Sequence, residues 1–273
     1  MPLRRRDVAG AERSIEGASK EQSMRTILLL LFIIVYFTIG FLWMGLIGLM
    51  KLFKAEKVAG KMAFLYIHFG CKVGLFISGT KVDARGVENI QKDRAALYVL
   101  NHRSIFDIII TYAYMKDRTG FIAKKELSKI PIFSWWVRLG NGLFLDRDDI
   151  RQGMKTILTG IEYLKDGVSM CIFPEGTRNK DNEDLTSLME FHAGSFKLSE
   201  KSGAPVVPVA VYNTAQCLED HFPWIKSTHV KITFGTPIEM DGLSKEEMRF
   251  LSKSVHEVME GMLQVYKEEE QQP

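Results

Sequence analysis

Residues 26–50 contain no charged side chain, and Leu, Ile, Phe and Val dominate them. A helix crossing the hydrocarbon layer of a bilayer needs about 20 such residues. A core helix of a water-soluble domain rarely runs so far without a charge. The run therefore predicts a membrane-associated helix, beside which the rest of the chain must fold. It exceeds the apolar part of a secretory leader and no small-residue cleavage site follows, so a cleaved leader is not expected. Basic residues flank it on both sides: Arg13, Lys20 and Arg25 before, Lys51, Lys54, Lys57 and Lys61 after. With both flanks basic, the charge bias assigns no orientation. The next apolar stretch, 58–78, is punctuated by Lys61, His68 and Lys72, a pattern closer to an interfacial helix than to a span. The expected organisation is a polar, poorly ordered segment over 1–25, a membrane-associated helix pair over 26–79, spanning or re-entrant, and one domain over 80–273.

That domain reads as α/β. Short apolar runs at 81–84, 96–100, 121–123, 143–145, 169–173, 206–212 and 230–234 predict strands. Helical patterns at 105–115, 151–165 and 196–201 lie between several of them. Such alternation predicts a mostly parallel mixed sheet flanked by helices on both faces. A last amphipathic helix starts near Ser244, with Met248, Leu251, Val255, Val258, Met262 and Val265 on one side, and Ser244 and Glu247 fit a capping box.

Two short segments follow apolar strands and so fall on the carboxyl rim of the sheet, where open parallel sheets bind ligands. The first is Asn101-His102-Arg103-Ser104-Ile105-Phe106-Asp107. Five residues along one continuous helix would put His102 and Asp107 on different faces. If the helix starts only after His102, with Ser104 as its cap, Asp107 lies in the first turn and can reach back to the imidazole. A carboxylate on one ring nitrogen fixes the tautomer and stabilises the imidazolium formed when the other nitrogen takes a proton. Ser104-x-x-Asp107 is equally a helix-capping pattern without catalytic meaning, and the residues alone leave both readings open.

The second segment is Phe173-Pro174-Glu175-Gly176-Thr177-Arg178. Gly176 permits a tight turn, Arg178 can fork onto phosphate oxygens and Thr177 can add a hydroxyl. A surface turn with a solvated arginine is the plainer alternative. Arg147, ending Gly142-Leu143-Phe144-Leu145-Asp146-Arg147, and Lys124, directly after the 121–123 strand, are further basic groups that could converge there or remain ordinary surface charges. Pro208 lies inside an apolar strand, where proline marks an edge or an interrupted ladder, and is expected to shape the pocket floor.

Other chemistries lack support. A net charge of +3 is too weak for a nucleic-acid surface but suits anionic headgroups and phosphorylated substrates. Cys71, Cys171 and Cys217 have neither disulfide-framework nor zinc-ligand spacing, so no metal site is expected. They point to a reduced compartment, with the domain facing the cytosol at a membrane (the cell membrane in a bacterium). Neither a Gly-x-Ser-x-Gly elbow nor a nucleotide-binding glycine loop occurs.

Four blocks taken together resemble the glycerolipid acyltransferase family, specifically the 1-acyl-sn-glycerol-3-phosphate acyltransferases. They are Asn101, His102 and Asp107; Gly142, Phe144 and Arg147; Pro174 to Arg178; and Val207 to Val209, in that order. The resemblance covers about residues 79–237 together with the preceding helix pair. It implies that His102 removes the proton of an acceptor hydroxyl, with Asp107 behind it, and that this hydroxyl attacks an acyl thioester without an acyl-enzyme intermediate. It implies that Glu175, Gly176, Thr177, Arg178 and Arg147 hold the acceptor's phosphate, with Lys124 as a further contact. The acceptor would be 1-acyl-glycerol 3-phosphate, a lysophospholipid in the bilayer. The donor would be acyl-CoA or acyl carrier protein, serving as substrate, with no separate cofactor. Acylation of glycerol 3-phosphate or another lysolipid, and a non-catalytic lipid-binding role, are the competing expectations. The sequence departs from the family at Phe191-His192 before Gly194, and in a long acidic segment over 179–190. Acyl-chain selection is expected from a tunnel partly built by residues 28–76.

Overall fold

The computed structural model describes residues 5–271. Helix α1 (Arg5–Leu52) turns through Phe53–Ala55 into α2 (Glu56–Ser78). The expected poorly ordered segment is instead helical from Arg5, residues 1–4 lying outside the described part. No proline falls between Arg5 and Leu52 and alanines and charged helix formers are frequent, so nothing stops the helix from running back out of its apolar part.

The two helices form an antiparallel hairpin. Arg25 donates to the Ile77 carbonyl at one end (3.3 Å), Tyr36 and Tyr66 exchange hydroxyl-to-carbonyl hydrogen bonds in the middle, and Ile47 packs with Ala59 and Ala63 near the turn. Residues 19–50 and 56–78 are each long and apolar enough to cross a membrane. The outer face of α1 exposes Leu30, Ile34, Leu42 and Leu49, which excludes a buried core helix.

One side of the hairpin rests on the domain along its length. Leu29, Phe64 and Leu75 join the main core. Further along, Trp136 stacks on Tyr66 (ring centroids 5.2 Å) and approaches Tyr36 and Phe37. A Cβ on Gly40 would lie 2.1 Å from the Trp136 ring, so only glycine allows this approach. Trp136 belongs to α4 (Pro131–Leu139), a helix absent from the sequence reading. At nine residues it is too short for its period to stand out from the flanking loops.

The sheet contains β1 (Lys81–Arg85), β2 (Leu97–Leu100), β3 (Thr119–Lys124), β4 (Leu143–Leu145), β5 (Ser169–Ile172), β6 (Val206–Tyr212) and β7 (His229–Phe234). Their order is β1-β7-β6-β2-β5-β3-β4. All neighbours are parallel except β6 and β7, as the mixed, mostly parallel expectation requires. Helix α3 (Phe106–Tyr114) and the hairpin cover one face. Helices α5 (Ile150–Lys165), α6 (Lys197–Ser202) and α7 (Lys245–Gln271) cover the other. Covered on both sides, β2, β5 and β6 are buried at every position, which is why they read as unbroken apolar runs.

Two packing expectations change. Along α7 the buried stripe is Leu251, Val255, Met259, Leu263 and Tyr266, while Met248, Val258 and Val265 are exposed. The helix is rotated from the expected phase because its C-terminal half packs Leu263 and Tyr266 against Ala210 and Tyr212. Its predicted capping box is present, with Ser244 N donating to Glu247 Oε2 (2.7 Å) and Glu247 N to Ser244 Oγ (3.2 Å). Pro208 lies in a central strand, not at an edge. Its missing N–H falls where the β6–β7 ladder opens, between the Gly235-to-Pro208 bond and the Val206–Ile238 bridge. Strand alternation puts Pro208 on the same face as Val206 and Ala210, which pack under α7. It does not floor the cavity described below.

Candidate active site

Strands β2, β5, β3 and β4 are adjacent and parallel, so their carboxyl ends form one rim. His102 follows β2, the 173–178 turn follows β5, Lys124 ends β3 and Arg147 follows β4. Sheet order alone thus gathers blocks separated by up to 76 positions in the chain.

His102 and Asp107 meet. His102 Nδ1 lies 2.8 Å from Asp107 Oδ2, and that oxygen also accepts the backbone N–H groups of Arg103 (2.7 Å) and Ser104 (2.8 Å). Asp107 Oδ1 accepts the Thr214 hydroxyl at 2.5 Å. The Ser104 N–H to Asp107 bond is one half of a capping box, and Ser104 Oγ accepts from Phe106 N (3.0 Å). One carboxylate thus both takes part in the cap and holds the imidazole. Asp107 is fully buried, and these donors compensate its lost hydration. The imidazole stacks on Phe173 from the neighbouring strand, ring centroids 4.0 Å apart. Nδ1 being taken by Asp107, Nε2 is the nitrogen available to a substrate.

The second turn locks onto the first from below. Glu175 is only 3% exposed. Its Oε1 accepts the His102 N–H (2.8 Å) and its Oε2 the Met189 N–H (3.0 Å). Burial raises its carboxyl pKa, an effect opposed by these two N–H donors and by Arg103. Glu175 therefore does not face the cavity. The expected phosphate contact is corrected to a tie between the two loops, since the turn at Gly176 points the preceding side chain inward. Gly176 itself has φ +79°, and a Cβ there would lie 1.9 Å from Arg147 Nη1; that nitrogen donates to the Gly176 carbonyl (2.7 Å).

His102, Lys124, Arg147, Gly176, Thr177 and Arg178 all line one cavity of about 660 Å³. Its inner wall is apolar, formed by Phe121, Phe133, Leu145, Met154, Ile157 and Ile172 among others. All its lining residues fall between 102 and 195, so residues 28–76, expected to build part of an acyl-chain tunnel, do not line this cavity. The hairpin instead touches the cavity through α4, which carries Phe133 on its lining and Trp136 in the hairpin's aromatic cluster. Lys124 is exposed and pairs with Glu126 (3.1 Å). Arg178 is half exposed and pairs with Glu219 (2.8 Å).

Known proteins resemble this chain in sequence and in fold. The model of the acyltransferase family matches residues 81–212. A 1-acyl-sn-glycerol-3-phosphate acyltransferase of Haemophilus influenzae is 30% identical over 195 residues, covering 70% of this chain and 77% of that protein. The crystal structure of the 1-acyl-sn-glycerophosphate acyltransferase of Thermotoga maritima superposes with TM-score 0.68 at 30% identity, over 89% of this chain and 98% of the other. This chain belongs to the 1-acyl-sn-glycerol-3-phosphate acyltransferase family. The yeast protein of that name is 28% identical over 182 residues, 66% of this chain but 59% of its own length.

Within this family framework, three supports of the site escaped the sequence reading. Asn101 Oδ1 and Nδ2 pair with the N–H and carbonyl of Val211 (2.8 and 2.9 Å), so its amide extends the β2–β6 ladder by one step and fixes the start of the His102 loop. The Arg103 guanidinium turns inward to the carbonyls of Asp181, Asp184 and Ser187 (2.6–2.9 Å). This gives the long acidic segment a role: it wraps one buried arginine, and Asn179 N donates to the His102 carbonyl (2.7 Å). Glu219 accepts from Ser104 Oγ, Ile105 N and Arg178. Its distance of more than 100 positions from Ser104 leaves no local signal.

Proposed function

We propose that this protein transfers a fatty acyl group from a thioester, acyl-CoA or acyl carrier protein, to the sn-2 hydroxyl of 1-acyl-glycerol 3-phosphate, giving phosphatidic acid. The observation that carries this reading is the His102–Asp107 pair at the mouth of an apolar cavity flanked by Arg147 and Arg178. Family membership supplies the acceptor class.

His102 Nε2 takes the proton of the acceptor hydroxyl as its oxygen attacks the thioester carbonyl. Asp107 holds Nδ1–H and stabilises the imidazolium. The tetrahedral adduct collapses, its C–S bond breaks, and the imidazolium returns the proton to the departing thiolate. Ester and free thiol are the products, and no acyl-enzyme forms. The donor thioester is already activated, so the reaction as proposed calls for no further cofactor. Arg178 and Arg147, with Thr177 and Lys124 beside them, bind the acceptor's phosphate and set the hydroxyl at a fixed distance from the base. The apolar recess takes an acyl chain.

The hairpin supports delivery from a bilayer. Its exposed Leu, Ile and Phe side chains suit lipid, and α4 packs along it as far as Leu139, which contacts the cluster near the turn. A hairpin accompanied by the domain over that length fits immersion in one leaflet better than a full crossing. The reduced cysteines favour the cytoplasmic side.

Turnover should be highest with 1-acyl-glycerol 3-phosphate in a panel including glycerol 3-phosphate and lysophosphatidylcholine. Equal turnover of an acceptor without a phosphate monoester contradicts the role of the arginines. Arg178→Ala should raise the acceptor KM about 10- to 100-fold with little change in kcat, the size of a lost hydrogen bond to a charged group. An unchanged KM removes Arg178 from the phosphate site.

A further inference from the structure

The connection from β6 to β7 begins just after the residues that the family model matches, and it carries two side chains into the site. Asn213, at φ +64°, turns the chain off the end of β6. The next side chain, Thr214, is fully buried and donates to Asp107 Oδ1. The other Asp107 oxygen is shared by His102 and two backbone N–H groups. The Thr214 hydroxyl is thus the bond that fixes the carboxylate's rotation about its last torsion. Five residues on, Glu219 reaches the opposite side of the same loop. Its Oε2 accepts Ser104 Oγ (2.5 Å), and its Oε1 accepts both Ile105 N (2.9 Å) and Arg178 Nη1 (2.8 Å).

We propose that residues 213–219 are a positioning element of the active site: Thr214 sets the orientation of the Asp107–His102 pair, and Glu219 tempers the grip of Arg178 on the acceptor's phosphate. The second half rests on the phosphate role proposed above for Arg178. A carboxylate fixed against a guanidinium competes with an incoming phosphate for the same donors and repels its negative charge. Phosphatidic acid carries the same phosphate monoester as the acceptor, so whatever weakens acceptor binding at Arg178 also lets product leave. Thr214 acts on turnover, Glu219 on binding.

These two roles separate in steady-state kinetics with 1-acyl-glycerol 3-phosphate, on variants first checked for folding by circular dichroism. Thr214→Val keeps the shape and removes the hydroxyl. It should lower kcat about tenfold, the scale of one strong hydrogen bond, with acceptor KM unchanged. Thr214→Ser should restore kcat to near wild type although it packs less well than Val. Should the Val variant not fold, Thr214→Ala against Thr214→Ser makes the same comparison. A Ser variant as slow as the variant without a hydroxyl would reduce Thr214 to packing and overturn its role. Glu219→Gln keeps one of the two accepting oxygens and removes the charge. It should lower acceptor KM severalfold and strengthen inhibition by phosphatidic acid, whereas a raised or unchanged KM overturns the tempering role. A wild-type protein inactive on this acceptor defeats the acceptor reading itself. An active wild type with Glu219→Gln and the variant lacking the Thr214 hydroxyl both indistinguishable from it defeats only the positioning element.

Discussion

Replacing His102 with alanine should lower acyl transfer by about a thousandfold or more, in the range that a general base contributes, while the protein remains folded and still binds 1-acyl-glycerol 3-phosphate. The asymmetry follows from where the imidazole's contacts lie. Its ring touches Asp107 and Phe173, and the arginines assigned to the phosphate approach from β4 and from the turn after β5. Removing the ring costs one hydrogen bond and one stacking contact. The loop keeps its shape through the Asp107 bonds to Arg103 N and Ser104 N, the Glu175 bond to His102 N and the Asn101 amide pair. Acceptor binding should be measured by equilibrium binding to the inactive variant. Wild-type turnover in His102→Ala would make the histidine a bystander, and loss of acceptor binding together with turnover would make it a structural residue.

The second large effect is expected at a side chain that meets no substrate. Glu175→Ala leaves the part-buried N–H groups of His102 and Met189 without their carboxylate. Each such stranded donor costs about 1–3 kcal/mol, so destabilisation of about 2–6 kcal/mol is expected. The melting temperature should fall by about 2–4 °C for each kcal/mol in a domain of this size. Turnover of the surviving folded protein should also fall, because the same bond positions the His102 backbone. A phosphate-binding Glu175, the role that the motif alone suggests, would behave otherwise: its loss would change acceptor KM and leave the melting temperature in place. Thermal denaturation followed by circular dichroism, set beside the kinetics, separates the two.

Glu175 also shows where sequence reading stops. Three of the four blocks run up to or follow the ends of β2, β4 and β5, and the order β2-β5-β3-β4 places those ends on one rim, while the fourth, Val207 to Val209, lies inside β6. From there the sequence distance between His102 and Asp107 is enough to predict their pairing, provided the helix starts late. The direction in which Glu175 points depends on the backbone at Gly176 and cannot be read from a string of letters. Thr214 and Glu219 are more than 100 positions from Asp107 and Ser104, which they hold, in a polar connection that looks like any other. Helix α4, at nine residues, is too short for its period to stand out from the flanking loops. Its function comes from being packed on both sides, by Phe133 at the cavity and Trp136 in the hairpin. An acyl-chain tunnel was expected to be built partly by residues 28–76. The apolar residues most visible in the sequence lie exposed on the outer face of α1, and those that line the cavity are scattered over β3, β4, α4 and α5.

Free-thiol release from an acyl thioester, followed with and without 1-acyl-glycerol 3-phosphate in lipid vesicles, tests direct transfer from the His102–Asp107 pair most simply. Thiol should appear only when the acceptor is present, in amounts equal to the phosphatidic acid formed, with no acylated protein detectable by intact mass. Stoichiometric thiol release in the absence of acceptor, leaving an acyl group on the chain, would contradict it.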